Sequence, residues 1–150
     1  MKNLKNGSGI ISFYFFLFSM FCALNAGAQK KATGNEINFI SKNYQQALTM
    51  AKASHKKIFV DAYAVWCAPC KQLQKTTFKD SKAAAYFNKN YINFSIDVEK
   101  GEGTALAKSW GIEGLPTLLI LDQNGKVIAS HIGYVDGAGL LEFTKEASGQ

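Results

Sequence analysis

From residue 41 onward the hydrophobic positions switch repeatedly between a helical and an extended period. Tyr44, Ala47, Leu48 and Ala51 recur at i, i+3, i+4 and i+7 with Lys, Gln and Thr elsewhere, so the spacing predicts a helix over about 41–54. Residues 58–64 form a short, almost wholly apolar run with β-branched and aromatic members, as expected of a strand covered on both faces and central in its sheet. Composition becomes helix-compatible over 67–78, and Asp80 or Ser81 is placed to cap a second short helix reaching Asn88. Over 91–98 the pattern alternates strictly, with Ile92, Phe94, Ile96 and Val98 on one face and Tyr91, Asn93, Ser95 and Asp97 on the other, which predicts a strand. A helix over 104–110, a strand over 117–121, an Asn-Gly turn into a strand over 126–132, and a helix over 137–147 complete the chain. The order α, β, α, α, β, α, β, β, α is that of an α/β fold: a central mixed β-sheet flanked by α-helices, with one parallel part and one terminal hairpin.

Ahead of these elements the chain has a different character. Lys2 and Lys5 precede a Phe-rich apolar run over 10–24, and Ala26-Gly27-Ala28 follows. That order reads as a secretory signal peptide over 1–28, with cleavage expected between Ala28 and Gln29. An uncleaved membrane anchor is the competing reading, but the run is shorter than the roughly 20 apolar residues of a spanning helix. A lipid anchor on Cys22 lacks the small residues expected just before it. The expected organisation is therefore a signal peptide (1–28), a flexible polar leader (29–36) and one domain (37–150), exported to the periplasm or another extracytoplasmic space and acting as a monomer.

Charge and cysteine content narrow the function classes. All 17 basic residues are Lys, against 11 acidic ones, and two lysines leave with the leader. Without Arg the chain lacks the usual bidentate reader of bases and phosphates, and its lysines are scattered, so no nucleic-acid partner is expected. Loss of Cys22 with the leader leaves Cys67 and Cys70 of the 3 cysteines, too few for a stapled secreted fold. A loop of two intervening residues also removes little entropy from the unfolded chain, so the pair is poorly explained as a brace.

The sequence Trp66-Cys67-Ala68-Pro69-Cys70-Lys71 falls where the buried strand gives way to a helix. Unpaired N–H groups and the positive end of the dipole favour an anion there, and such settings lower a thiol from about 8.5 into roughly 3.5–7.5. Cys67 is thus the expected attacking sulfur. Cys70, one turn further in, is shielded and placed to attack a mixed disulfide, while Pro69 belongs in the first turn, where its missing N–H costs nothing. The competing reading is half a metal site, but His55 and His131 show no ligand spacing to complete it, and no metal ligand is assigned. Asp61 interrupts the apolar strand. If buried, its carboxyl is expected to hold a proton near neutrality and to take the proton of Cys70; an Asp reaching solvent at the strand's end is the bland alternative. Pro116, in Gly114-Leu115-Pro116-Thr117, is either a cis turn or an ordinary trans proline at the first residue of a strand.

The stretch Val60-Asp61-Ala62-Tyr63-Ala64-Val65-Trp66-Cys67-Ala68-Pro69-Cys70-Lys71 resembles the active-site stretch of thioredoxins, and Trp110-Gly111-Ile112-Glu113-Gly114-Leu115-Pro116-Thr117 resembles the same family's second signature. With Gly133 after the hairpin, the likeness covers nearly all of 37–147 and points to secreted thioredoxin-like proteins and to the C-terminal domain of membrane thiol-disulfide interchange reductases. The resemblance implies a thioredoxin fold, Cys67 as nucleophile, Cys70 as resolving thiol, Asp61 as buried acid and a cis Leu115–Pro116 bond facing the disulfide. It also implies a substrate surface of Trp66, Ala68, Pro69, Leu115 and Pro116 around an exposed Cys67 sulfur. Tyr63 stands where thioredoxins usually carry Trp, Ala68 replaces their Gly, and Asn93 occupies the position of the lysine beside the buried acid. The expected activity is reduction of protein disulfides without an organic cofactor, recharged by a membrane thiol-disulfide donor. The alternatives are an oxidant or isomerase, and a binding module or metallochaperone without turnover.

Overall fold

The computed structural model describes residues 34–40 and 43–148. The region read as signal peptide and the leader as far as residue 33 lie outside the described residues, as does the expected helix start at Ser41. The elements in order are α1 (Tyr44–Ser54), β1 (Lys57–Tyr63), α2 (Ala68–Lys75), a 3-10 helix (Thr77–Lys79), α3 (Ser81–Asn90), β2 (Tyr91–Asp97), α4 (Gly103–Ser109), β3 (Thr117–Leu121), β4 (Val127–Ile132) and α5 (Gly137–Glu146). Among the described residues no helix is long and apolar enough to cross a membrane.

The four strands form one sheet in the order β2-β1-β3-β4. β1 runs parallel to β2 and antiparallel to β3, and β3 and β4 form the terminal hairpin. Strand period decides which side chains serve which layer. Ile58 and Val60 of β1 join Leu119 and Leu121 of β3 on the face covered by Ala47 and Ala51 of α1. Phe59 joins Leu118 and Ile120 on the opposite face, against Leu73 of α2, Phe87 of α3 and Leu140 of α5. Helices thus cover both faces, and β1 is buried along its middle five residues. Asp61 shares the face of Phe59, opposite Ser95 of β2 and Leu118 of β3.

Two local departures from the periodicity have identifiable causes. The helix expected over 67–78 stops at Thr76, whose hydroxyl donates back to the Gln72 carbonyl at 2.8 Å, and the chain continues as a 3-10 turn that buries Thr77 and Phe78. The alternating strand β2 does not leave its polar side in water. Tyr91 and Asn93 are both buried, and Tyr91 stacks on Phe87 with ring centroids 5.0 Å apart.

The cover on that side comes partly from residues just ahead of α1. The Ile37 N–H donates to the Phe78 carbonyl at 2.7 Å and the Ile40 N–H to the Asn93 carbonyl at 2.9 Å. Asn88 clamps the same segment, its amide donating to the Glu36 carbonyl at 2.9 Å and its Oδ1 accepting from the Asn38 N–H at 2.8 Å. A bridge from Ile40 to Phe94 lays this segment along the outer edge of β2, where an unpaired strand edge would otherwise face water.

Phe59 is the hub of the larger core, with ring centroids 4.5 Å from Phe87, 6.0 Å from Phe39 and 6.2 Å from Phe78. Phe59→Ala is expected to cost about 3–5 kcal/mol of stability, because lost transfer energy and the cavity left behind add. Chemical denaturation at constant m-value measures it; a loss below about 1 kcal/mol would contradict this packing.

Candidate active site

β1 leaves the sheet at Tyr63 and turns through Ala64, Val65 and Trp66 into α2. The turn is closed by the Cys67 N–H donating to the Ala64 carbonyl at 3.1 Å. Cys67 is the N-cap of α2, with extended backbone at φ −68° and ψ 107°. Its Sγ accepts from the Cys70 N–H at 3.2 Å. Ala68 and Pro69 fill the first turn, so the ring of Pro69 removes no helical hydrogen bond. No acidic residue stands in that turn to oppose a negative charge on the sulfur.

Cys67 and Cys70 are joined by a disulfide with an S–S distance of 1.99 Å and Cα atoms 5.3 Å apart. The expected exposed sulfur is corrected by the structure: Cys67 is 2% exposed and Cys70 1%. Tyr63 and Leu115 pack on the two cysteines and on Ala64, and that contact removes them from bulk water. The two cysteines are nevertheless not equivalent. A groove of about 620 Å³ opens beside the motif, and Cys67 is among its lining residues while Cys70 is not.

Trp66, Ala68, Pro69 and Leu115 line the same groove, so the structure brings these sequence-assigned residues together. Trp66 is 65% exposed, and its indole N–H donates to Glu99 Oε1 at 2.9 Å, which fixes the ring at the rim. Glu99 in turn sits in a turn where its N–H donates to Asp97 Oδ1 at 3.0 Å. Leu115 precedes a cis bond to Pro116. Pro116 itself is buried and does not line the groove, whereas Leu115 does. The Pro116 carbonyl accepts from the Gly133 N–H at 2.8 Å, and the Thr117 hydroxyl donates to the Gly114 carbonyl at 2.6 Å, holding the loop in place. The far wall is made by Thr104, Ala107 and Lys108 of α4, which the sequence reading did not assign.

Asp61 lies inside the domain at 1% exposure. Burial pushes its carboxyl up to about 7, opposed only in part by the hydroxyl of Ser95. That hydroxyl donates to Asp61 Oδ2 at 3.0 Å, and Oδ1 has no partner among the described residues. The group that meets the acid is thus Ser95. Asn93, two residues earlier on the strand, turns instead to Asn88 Oδ1 at 3.1 Å. The signal for Ser95 was its parity with Asn93 along β2, but parallel register was needed to pair it with Asp61. His55 ends α1 in a left-handed conformation and His131 lies beside Phe143, so neither imidazole is brought to the cysteines. Among the described residues no group of three or more His, Cys, Asp or Glu gathers as a metal-binding cluster.

The raised carboxyl has a consequence for stability. In the unfolded chain Asp61 titrates near its ordinary 3.8, and in the folded protein near 7. Below the lower value both states are protonated; between the two values the unfolded state ionises first, so stability falls as pH rises, and above about 7 the loss is complete. A shift of that size corresponds to roughly 4 kcal/mol. Asp61→Asn is expected to flatten this slope and to be more stable than the parent at pH 8. Denaturant midpoints at pH 4, 6 and 8 test this, and a parent whose stability rises across that interval through Asp61 would contradict the burial described.

Comparison with known proteins agrees with the geometry. A model of the thioredoxin-like domain matches residues 44–148. The thiol:disulfide interchange protein DsbD of Yersinia pestis is 32% identical over 125 residues, covering 80% of this chain and 21% of the relative. That of Vibrio vulnificus is 30% identical over 155 residues, covering 96% of this chain and 26% of the relative, so the chain spans about a quarter or less of these relatives. The solution structure of a Bacteroides thetaiotaomicron protein described as a disulphide-isomerase superposes with a TM-score of 0.69 at 39% identity, covering 78% of this chain and 97% of that one. A thioredoxin from Thermus thermophilus, at 22% identity and a TM-score of 0.63, shares the fold. The chain is a member of the thioredoxin-like family of thiol-disulfide oxidoreductases.

Proposed function

We propose that the protein works outside the cytoplasm and reduces disulfides in protein substrates through the Cys67–Cys70 couple. The observation that carries this reading is the asymmetry of the pair: Cys67 caps a helix and lines an open groove, whereas Cys70 lies within the helix and does not line the groove. In the reduced protein a Cys67 thiolate attacks one sulfur of the substrate disulfide, forming a mixed disulfide and expelling the other substrate sulfur as a thiolate. The Cys70 N–H that lies 3.2 Å from Cys67 Sγ is the donor such a thiolate would use. Cys70 then gives its proton to the Asp61 carboxylate and attacks Cys67 Sγ. The Cys67–Cys70 bond forms, and the second substrate sulfur leaves and takes a proton from water. The substrate disulfide gains the two electrons that the dithiol loses, so no organic cofactor takes part.

Trp66, Ala68, Pro69 and Leu115 supply the surface on which the substrate rests, with Pro116 holding Leu115. The leader sequence supports export to the periplasm or an equivalent compartment, and the similarity to thiol:disulfide interchange proteins supports a membrane thiol-disulfide protein as electron donor. The likeness to a structure described as a disulphide-isomerase favours a second reading in which the couple oxidises or isomerises. Equilibration of Cys67–Cys70 with glutathione separates the two, since a strongly negative potential belongs to a reductant. Metal-free protein that catalyses insulin disulfide reduction excludes a binding module or metallochaperone.

Cys70→Ser is expected to accumulate mixed disulfides through Cys67, and Cys67→Ser essentially none. Non-reducing electrophoresis with mass mapping of the trapped cysteine reads the result; equal trapping by both variants refutes the division of labour.

A further inference from the structure

Asp61 can take a proton from Cys70 only as the carboxylate, and near pH 7 part of the folded population must first shed the proton that burial makes it hold, yet the residue is 1% exposed. A second cavity, of about 280 Å³, reaches it. Besides Asp61 it is lined by Glu36, Ile37, Phe39, Gln74, Phe78 and Ser95. Asp61 and Phe78 are buried, whereas Glu36 and Gln74 are exposed. The cavity therefore has its floor at the acid and its mouth between the N-terminal segment and α2. At the floor the Ser95 hydroxyl occupies Oδ2, and Oδ1 is buried without a protein partner.

Around the acid, β2 presents Ser95, β3 presents Leu118, α2 presents Gln74 and the 3-10 helix presents Phe78. None of these ionises in the neutral range; Cys70 on α2 is the reacting thiol itself. Of the residues lining the cavity, Glu36 alone besides Asp61 carries an ionisable group. Its place is fixed by backbone bonds rather than chance: its carbonyl accepts from Asn88 Nδ2 at 2.9 Å, and the next N–H, of buried Ile37, donates to Phe78 at 2.7 Å. Its lining mixes polar and apolar residues, and about 280 Å³ is roomy enough to admit water beside the Asp61 carboxyl.

We infer that Glu36 is the outer proton acceptor of the couple: the proton that Cys70 hands to Asp61 leaves through this cavity to the Glu36 carboxylate and then to solvent. The inference rests on the role proposed above for Asp61. Glu36 touches neither substrate nor sulfur and acts through Asp61, as a positioning residue for proton transfer. In the opposite direction of exchange the same path returns a proton to Asp61 and then to the Cys70 thiolate.

The test is stopped-flow closure of the Cys67–Cys70 disulfide, using reduced protein and saturating glutathione disulfide near pH 7 in weak buffer. Saturation makes capture by Cys67 fast, so closure is the step observed. Glu36→Gln keeps the backbone bonds of an exposed residue and so keeps the fold. It is expected to slow closure on the order of threefold to tenfold, less than the roughly 100-fold or more that loss of a direct acid-base group costs. Added imidazole is expected to restore the variant and leave the parent unchanged. Closure by Glu36→Gln at the parent rate, with Asp61→Asn slow, overturns the inference and leaves the role of Asp61 standing. A slow Glu36→Gln that imidazole does not restore assigns Glu36 a structural part and overturns it as well. An Asp61→Asn that closes at the parent rate removes both the role of Asp61 and the path built on it.

Discussion

The constraint on which the site depends is the placement of one sulfur at the first turn of a helix that its partner sulfur occupies one turn later. The helix end supplies N–H groups that find no carbonyl within the helix, and these are what a sulfur anion needs. For the arrangement to work, Cys67 has to be the N-cap of α2, and not the residue before or after it. The buried strand β1 sets that point, because its middle residues are locked between β2 and β3 and the turn after Tyr63 is short. Packing far from the chemistry, such as Phe59 against Phe87, therefore determines where the thiol sits.

The same strand carries the cost of the mechanism. Asp61 stands among apolar neighbours with one hydroxyl to satisfy it, an environment that penalises its charged form and holds its proton affinity near neutral pH. An apolar residue in that position would make a more stable sheet at alkaline pH. A carboxyl poised near 7 can accept a thiol's proton and give it back at modest driving force, a property that a surface Asp lacks. On the proposed mechanism, stability is given up at the place where the exchange reaction needs a base, as is common for functional sites.

Much of this was legible in the residues. Periods of 3.6 and 2 placed the helices and strands in their order, and the abrupt change from buried strand to helix at Cys67 marked the site. Asp61 stood out because a carboxylate within an apolar run demands an explanation. What the sequence left hidden depended on register and on loops. Ser95 meets Asp61 only because β1 and β2 pair in parallel at that offset, and Glu99 reaches Trp66 only through the turn that precedes α4. The burial of Cys67 arises from Tyr63 and Leu115, which are remote from one another in the chain. The burial of Tyr91 and Asn93 was not legible either, because alternation alone does not reveal that helices and the N-terminal segment cover both sides of the sheet.

The most direct measurement is alkylation of the reduced protein by iodoacetamide as a function of pH, with the modified residue identified by mass mapping. The helix terminus and the groove require that Cys67 react first and that its reactivity titrate well below the roughly 8.5 of a free thiol. Preferential modification of Cys70, or a Cys67 that reacts only as an ordinary thiol, would contradict the placement of the anion on which the site is built.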